Sequence, residues 1–165
     1  MKGTNMHIWT IEDWKKNLPE RNNRRTGLRL KIDASVDSEV RLACKEFCKW
    51  LRTEYYFPLR VPIYIKSSRY IKTIDGDYAV GSFFEPNEYN VEPYIRIATG
   101  DYQDLFQEIG RDDALASILA TIAHELTHYY QWINGITLTE TGHERQALRY
   151  SKYILQEYSE TREHP

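Results

Sequence analysis

Residues 124 to 128 read His-Glu-Leu-Thr-His, an H-E-x-x-H pattern within a stretch of helical periodicity. On a helix, His124 and His128 share one face, because positions i and i+4 lie one above the other. Two imidazoles placed this way can hold one zinc ion, and Glu125 is near enough to take a proton from water at the metal. The pattern predicts a zinc site with Glu125 as general base. The simpler alternative is a surface helix with solvated side chains.

A catalytic zinc needs a third protein ligand and an open position. His143 and Glu144 follow the predicted helix after a short turn, where a helical hairpin would bring a side chain back to the metal. Helical phase does not separate the two candidates. Residues 141 to 144 also form a capping-box pattern, in which Glu144 would only cap its own helix. If both residues bound the metal, its fourth position would be filled and the site would be inert.

The helix that carries the motif is predicted to begin near Asp112 or Asp113 and to end at Asn134-Gly135. Its apolar positions recur at steps of three and four, as one buried face requires: Leu115, Leu119, Ile122, Leu126, Tyr129 and Ile133. The two histidines lie roughly opposite that stripe. The same face carries small residues that would let another element approach: Ser117, Ala120 and Thr121.

The other elements follow from periodicity and turn signals. Strands are predicted over residues 28–33, 61–66, 78–84 and 94–99. Helices are predicted from Ser35 or Asp37 to Tyr55 and over residues 141–160, with a short helix near 10–17 capped by Thr10. The order of elements predicts a mixed α+β domain over residues 28–165, preceded by a basic extension over residues 1–27.

Charge is unevenly distributed along the chain. The net charge is −2, but residues 1–31 hold eight Lys or Arg against three acids, which leaves −7 for the remainder. A basic arm that also carries Trp9 and Trp14 is solvated, docks on its own body, or contacts nucleic acid. A further hypothesis is that the arm covers the active-site cleft and keeps the protein latent.

Cys44 and Cys48 are the only cysteines, and they lie four residues apart in a predicted helix. This geometry disfavours a disulfide, so free thiols and a reducing compartment are expected. No apolar run approaches the roughly 18 residues of a membrane span, and the first residues lack the apolar stretch of a signal peptide. We therefore expect a cytoplasmic protein that does not cross a membrane.

The motif at 124–128, the following residues 129–131, and the sequence Glu144-Arg-Gln-Ala-Leu-Arg-Tyr150 together resemble the small gluzincins. These include the minigluzincins and the metallopeptidase domains of phage-repressor-cleaving and radiation-response regulators. The resemblance covers about residues 60 to 158. It implies a zincin-like metalloprotease fold with a C-terminal helix, zinc held by His124, His128 and Glu144, and a peptide or protein substrate.

Gluzincins hold their substrate as an extra antiparallel strand at a sheet edge, and residues 78–84 are the candidate edge strand here. The resemblance also makes Tyr150 a candidate partner for the oxyanion, although its helical phase suits a core position equally. Gly142-His143 is similar instead to the third ligand of SprT-like zinc proteases, which act on DNA-bound targets. The remaining alternatives are a nucleic-acid-binding protein and a non-catalytic metal-binding domain.

Overall fold

The structure is a computed structural model that describes residues 6–165. Four helices pack with a four-stranded mixed sheet, which confirms the predicted α+β class. The strands are β1 Leu28–Ile32, β2 Val61–Lys66, β3 Ile71–Lys72, β4 Tyr78–Ala79, β5 Gly81–Phe84 and β6 Tyr94–Ala98. The helices are α1 Ser38–Glu54, α2 Tyr102–Ile109, α3 Arg111–Ile133 and α4 Glu140–Ser159.

The main sheet has the order β1-β2-β6-β5. β1, β2 and β6 are parallel, and β5 runs antiparallel to β6 with Gly81 opposite Ile97 and Phe84 opposite Tyr94. The central strand β2 is buried along most of its length, as a strand flanked on both sides requires. β5 therefore lies at the edge of the sheet, where one side of its backbone is open to another chain.

The predicted strand over residues 78–84 is divided at Val80. Its first part, β4, pairs with β3 in a two-stranded hairpin whose turn contains Gly76 at a φ of +89°. Its second part, β5, belongs to the main sheet. Sequence reasoning identified the turn at Asp75-Gly76 but missed β3, which is only two residues long.

The helix α3 has the predicted buried face, since every residue of the apolar stripe from Leu115 to Ile133 is at most 1% exposed. The predicted start at Asp112 or Asp113 is wrong by one or two residues. The short helix α2 was not predicted, and it ends at Gly110, whose φ of +89° turns the chain directly into α3. Asp37 caps α1 as expected and accepts a hydrogen bond from the Glu39 backbone at 2.8 Å.

Residues 6–27 pack against the rest of the chain and share its hydrophobic core. The predicted helix near residues 10–17 is instead a 3-10 turn over Asp13–Lys16, and the Thr10 hydroxyl donates to the His7 carbonyl rather than capping a helix. Four apolar side chains of this N-terminal segment are buried: Ile8, Trp9, Trp14 and Leu18. The start of the expected extension, residues 1–5, lies outside the described residues.

Cys44 and Cys48 are buried in α1 as free thiols, as predicted. Burial raises the pKa of both, that of Cys48 to about 12, so neither is a reactive thiolate. Over residues 6–165, none of the helices combines the length and the apolar character that crossing a membrane requires.

Candidate metal centre

Two helices supply the side chains of the candidate metal centre. His124 and His128 lie one turn apart on α3, which places both imidazoles on the same face. α3 ends at Ile133 with Asn134 as its C-cap, in agreement with the predicted end at Asn134-Gly135, and Gly135 adopts a φ of +64° that turns the chain away from the helix axis. The chain then returns in α4, which packs against α3 and carries Glu144 in its second turn.

The Glu144 carboxylate lies between the two imidazoles. Its Oε1 is 3.0 Å from Nε2 of His124, and its Oε2 is 3.0 Å from Nε2 of His128. One donor atom from each residue lies within 4.8 Å of the other two. Ligands of a tetrahedral zinc, bound at roughly 2.0–2.2 Å, are about 3.3 Å apart, so small side-chain movements would fit this group to such an ion. The donor types also suit zinc.

His143 is not part of this group. Its Nε2 accepts a hydrogen bond from the Leu138 backbone at 3.2 Å, which holds the imidazole against the loop before α4. The capping-box interpretation of residues 141–144 is wrong as well, because Thr139 is the N-cap and accepts from the Gly142 backbone at 3.0 Å. The Glu144 carboxylate is therefore free to meet the two histidines of α3.

Glu125 is the buried acid of the centre. Its side chain is only 8% exposed and borders the cleft beside His128 and Glu144. Burial and the nearby charge of Glu144 raise the pKa of Glu125 to about 8. A cation held by the three donor residues would offset the charge of Glu144 and so favour the ionised carboxylate.

Gln131 is a functional candidate that sequence reasoning missed. Its Oε1 lies 2.8 Å from Nδ1 of His128. Its Nε2 donates to the His143 carbonyl at 3.0 Å and to Oε1 of Gln146 at 2.9 Å. Because the His143 carbonyl can only accept, Nε2 of Gln131 must face it; the amide orientation is thus fixed, and Nδ1 of His128 must carry the proton. The Nε2 lone pair of His128 is then available to a metal.

The centre opens into a cleft of about 1020 Å³. One wall is β5, where Gly81 lies so close to α3 that a Cβ there would be 2.7 Å from Cγ2 of Thr121 and 3.1 Å from Oε2 of Glu125. Of the small residues predicted on this face of α3, Thr121 is the one that β5 approaches. The end of α3 and the loop before α4 form the opposite side.

Tyr150 does not line this cleft, so the structure does not support its predicted role at the oxyanion. Its hydroxyl accepts a hydrogen bond from the Ile8 backbone and donates to the Met6 carbonyl, both at 3.1 Å. This tyrosine therefore anchors the N-terminal segment.

The N-terminal segment lies behind the motif helix, away from the cleft. Trp9 is 2% exposed, and its Nε1 donates to Oγ1 of Thr127 at 3.1 Å, from the buried side of the H-E-x-x-H sequence. Asn134 accepts from the Trp14 backbone at 2.9 Å and donates to the Ile8 carbonyl at 3.2 Å. No residue of the described stretch 6–27 lines the cleft, so this stretch does not cover it.

The arrangement thus combines three convergent metal donors, a buried acid beside them and an open strand edge along one wall. Comparison of the chain with protein-family models, with curated proteins and with solved structures finds no match.

Proposed function

We propose that this protein is a zinc-dependent metallopeptidase of the gluzincin type. The observation that carries the proposal is the Glu144 carboxylate, which lies 3.0 Å from Nε2 of both His124 and His128 while Glu125 is buried beside them. Two imidazoles and one carboxylate form a ligand set used by catalytic zinc, and they leave one position for water or substrate.

Zinc bound by this set would lower the pKa of water and polarise a substrate carbonyl. Glu125 would accept a proton from the attacking water and later donate it to the departing amine. Its burial supports this role, because a carboxylate that is shielded from bulk solvent has a higher pKa and is a stronger base. His128 suits a ligand because burial lowers its pKa and keeps the imidazole neutral.

A peptide substrate would bind as an added strand along β5. That strand is at the sheet edge, and its first residue, Gly81, borders Glu125. Main-chain hydrogen bonds to an edge strand bind an extended peptide with little dependence on its sequence. The cleft of about 1020 Å³ between β5 and the start of α4 is large enough for several residues.

The test compares wild type with Glu125→Gln, which keeps the shape of the side chain but cannot accept the proton. Wild type and the variant should each hold about one zinc per chain, and only wild type should cleave peptides or proteins from a diverse mixture. Glu108→Gln, an exposed position on α2 outside the cleft, is the control and should leave both properties unchanged. Equal behaviour of wild type and Glu125→Gln on every substrate would contradict the proposal.

The SprT-like alternative depends on His143 as third ligand, and the bond from Leu138 to its Nε2 counts against that role. Binding of nucleic acid depends on the basic N-terminal segment, yet Arg25 there is paired with Glu92 at 2.5 Å and Arg24 bonds the Pro58 carbonyl. Neither alternative therefore has a specific observation in its favour.

A further inference from the structure

The cleft carries a strong negative charge. Five carboxylates line it, and the described lining residues include no lysine or arginine; the acids are Asp75, Glu85, Glu125, Glu140 and Glu144. A divalent cation at the histidine pair would offset two of these charges and leave the site negative. A ligand that enters this cleft is therefore favoured if it brings positive charge.

Three of the acids stand apart from the metal donors and come from different walls. Asp75 lies in the turn of the β3–β4 hairpin, Glu85 follows the last residue of β5, and Glu140 begins α4. None of the three forms an ion pair or a side-chain hydrogen bond with any residue from 6 to 165. Elsewhere on the surface, by contrast, Glu39 meets Arg111 at 2.6 Å. The charge of the three cleft acids is thus not offset by any described residue and can act on a molecule that enters the cleft.

Aromatic rings lie next to Glu85. Tyr89 and Trp132 line the same part of the cleft with their ring centroids 4.9 Å apart, and the Tyr89 hydroxyl donates to the Trp132 carbonyl at 3.0 Å. Burial and, to a smaller extent, the nearby charge of Glu85 raise the pKa of the Tyr89 phenol. An aromatic face beside a carboxylate stabilises an ammonium or guanidinium group through charge and cation–π attraction together.

Glu125 gives an independent indication that a ligand belongs in this cleft. Its side chain is more than nine-tenths buried, borders the cleft, and has no hydrogen-bond partner among the described residues. Buried polar groups are normally satisfied by protein, water or a bound molecule. Because no described residue bonds this carboxylate, a water or a bound molecule in the cleft would be its partner.

We infer that the cleft selects cationic peptides, with a lysine or arginine side chain bound between Glu85 and the Tyr89–Trp132 pair and with Glu140 adding negative charge to the same cleft from the start of α4. The inference rests on the proposed function in so far as the bound molecule is a peptide substrate. A chain that runs along β5 passes Glu85 directly after the strand ends, so the selected side chain lies a few residues from the bond that is cleaved.

A binding experiment tests the inference without relying on turnover. Zinc-loaded Glu125→Gln protein is titrated into two fluorescein-labelled pools of random hexapeptides, one containing Lys and Arg and one with Gln in their place. Fluorescence anisotropy should show at least about tenfold tighter binding of the cationic pool at low salt, and the difference should shrink as salt rises. Equal affinities, or no binding of either pool at millimolar concentration, would overturn the inference.

Substitutions of individual acids show which residues produce the preference for cationic peptides. Glu85→Gln and Glu140→Gln, each made on the Glu125→Gln background, should each reduce the preference for the cationic pool, and Glu85→Lys should turn it toward a matched acidic pool. Glu108→Gln on the same background is the control, because that acid is equally exposed but lies outside the cleft. Denaturant unfolding checks that every variant is folded. If the cleft variants bind like Glu108→Gln, the selection of cations is wrong.

The outcomes separate this inference from the proposed function. Cleavage by wild type without any enrichment of Lys or Arg near the cut bond would overturn the inference and leave the peptidase assignment intact. Tight binding of the cationic pool that depends on Glu85, with no cleavage of any peptide by wild type, would support the inference and contradict the peptidase assignment.

Discussion

Gln131 accepts a hydrogen bond from Nδ1 of His128 at 2.8 Å, from a position three residues further along the same helix. Gln131 is 2% exposed, and its Nε2 donates hydrogen bonds to the His143 carbonyl and to Oε1 of Gln146, both on α4. This relationship fixes both the ring orientation and the tautomer of a proposed metal ligand.

Gln131→Leu should therefore weaken zinc binding by about 10- to 100-fold while the protein stays folded. Competition with a chromogenic chelator measures the affinity. Gln146→Leu is the matched control, since it removes another bond of the same amide but leaves the bond to His128 in place. Equal zinc affinity in wild type and Gln131→Leu would show that the amide does not position the imidazole.

The two candidates for third ligand should differ sharply when replaced. Glu144→Ala should lower zinc from about one per chain to a small fraction of that, because only two protein donors remain. His143→Ala should keep its zinc, because its imidazole bonds the loop before α4 instead. Metal analysis after dialysis measures both variants, and the reverse pattern would favour the SprT-like arrangement.

Gly81 should be intolerant of a side chain. In Gly81→Ala the new methyl group would lie 2.7 Å from Cγ2 of Thr121 and 3.1 Å from Oε2 of Glu125, so β5 or Glu125 must move. We expect turnover to fall by up to about 100-fold with zinc content unchanged, because displacement by a fraction of an ångström disturbs the reacting groups. Adding Thr121→Ser removes Cγ2 and should restore part of the rate. Full activity of Gly81→Ala would contradict this close packing.

The N-terminal segment should stabilise the fold. Trp9→Ala should lower the free energy of unfolding by about 3–5 kcal/mol, because a fully buried aromatic side chain is removed. Trp9→Phe should cost less, since it mainly loses the bond to Thr127, whose hydroxyl still donates to the Ala123 carbonyl. Urea unfolding compares the two variants. A chain that lacks residues 1–27 yet folds and is more active would instead support the latency hypothesis.

His7 should make stability depend on pH. Burial lowers its pKa below the ordinary value of 6.5, so the unfolded chain binds the proton more readily than the folded chain does. The contribution of neutral His7 to the free energy of unfolding is complete above pH 6.5. It is lost as the pH falls below that value toward the lower pKa of the folded state. His7→Asn keeps an acceptor for the Trp9 backbone, which bonds Nδ1 at 3.2 Å, and removes the titration.

Urea unfolding of the metal-free protein between pH 7.5 and 5 should therefore show a smaller loss of stability in His7→Asn than in wild type. His128 also has a lowered pKa, so some dependence on pH should remain in the variant. His164→Asn compares a histidine outside the core: it removes an exposed imidazole that pairs with Asp112 at 2.7 Å and therefore reports the effect of a surface ion pair rather than of burial. Identical pH slopes in wild type and His7→Asn would contradict the assigned role of burial.

The parts of the fold that follow a local pattern could be predicted from the sequence. The buried stripe of α3 and the Asp37 cap of α1 depend on residues a few positions apart, and both are as expected. The placement of His124 and His128 on one face of α3 follows from the same kind of local spacing, whereas an edge strand beside the motif was expected only from the resemblance to gluzincins. α2 was missed because its eight residues give too short a pattern, and Gly110 separates it from α3 without a loop.

Features that depend on distant contacts could not be predicted. For the polar, basic N-terminal segment the sequence left solvation, docking on its own body and nucleic-acid contact open, and in the structure its few apolar side chains join the hydrophobic core. Nothing local to Trp9 indicates that Thr127 will accept its hydrogen bond from 118 residues away. Glu144 and His143 are neighbours in the chain, and only tertiary contacts distinguish them: Glu144 meets both histidines of α3, whereas His143 accepts a bond from Leu138.

The brevity of β5 has a consequence for how selective this protein can be. A strand of four residues can form only a couple of main-chain hydrogen bonds with an added peptide. This limits unwanted pairing between copies of the protein, but it also means that these bonds contribute little to the affinity for a peptide. Discrimination between one polypeptide and another must then come from the side chains of the bound peptide. Because β5 is short, the selection of a substrate depends less on main-chain hydrogen bonds to this strand and more on the side chains that line the cleft beside it.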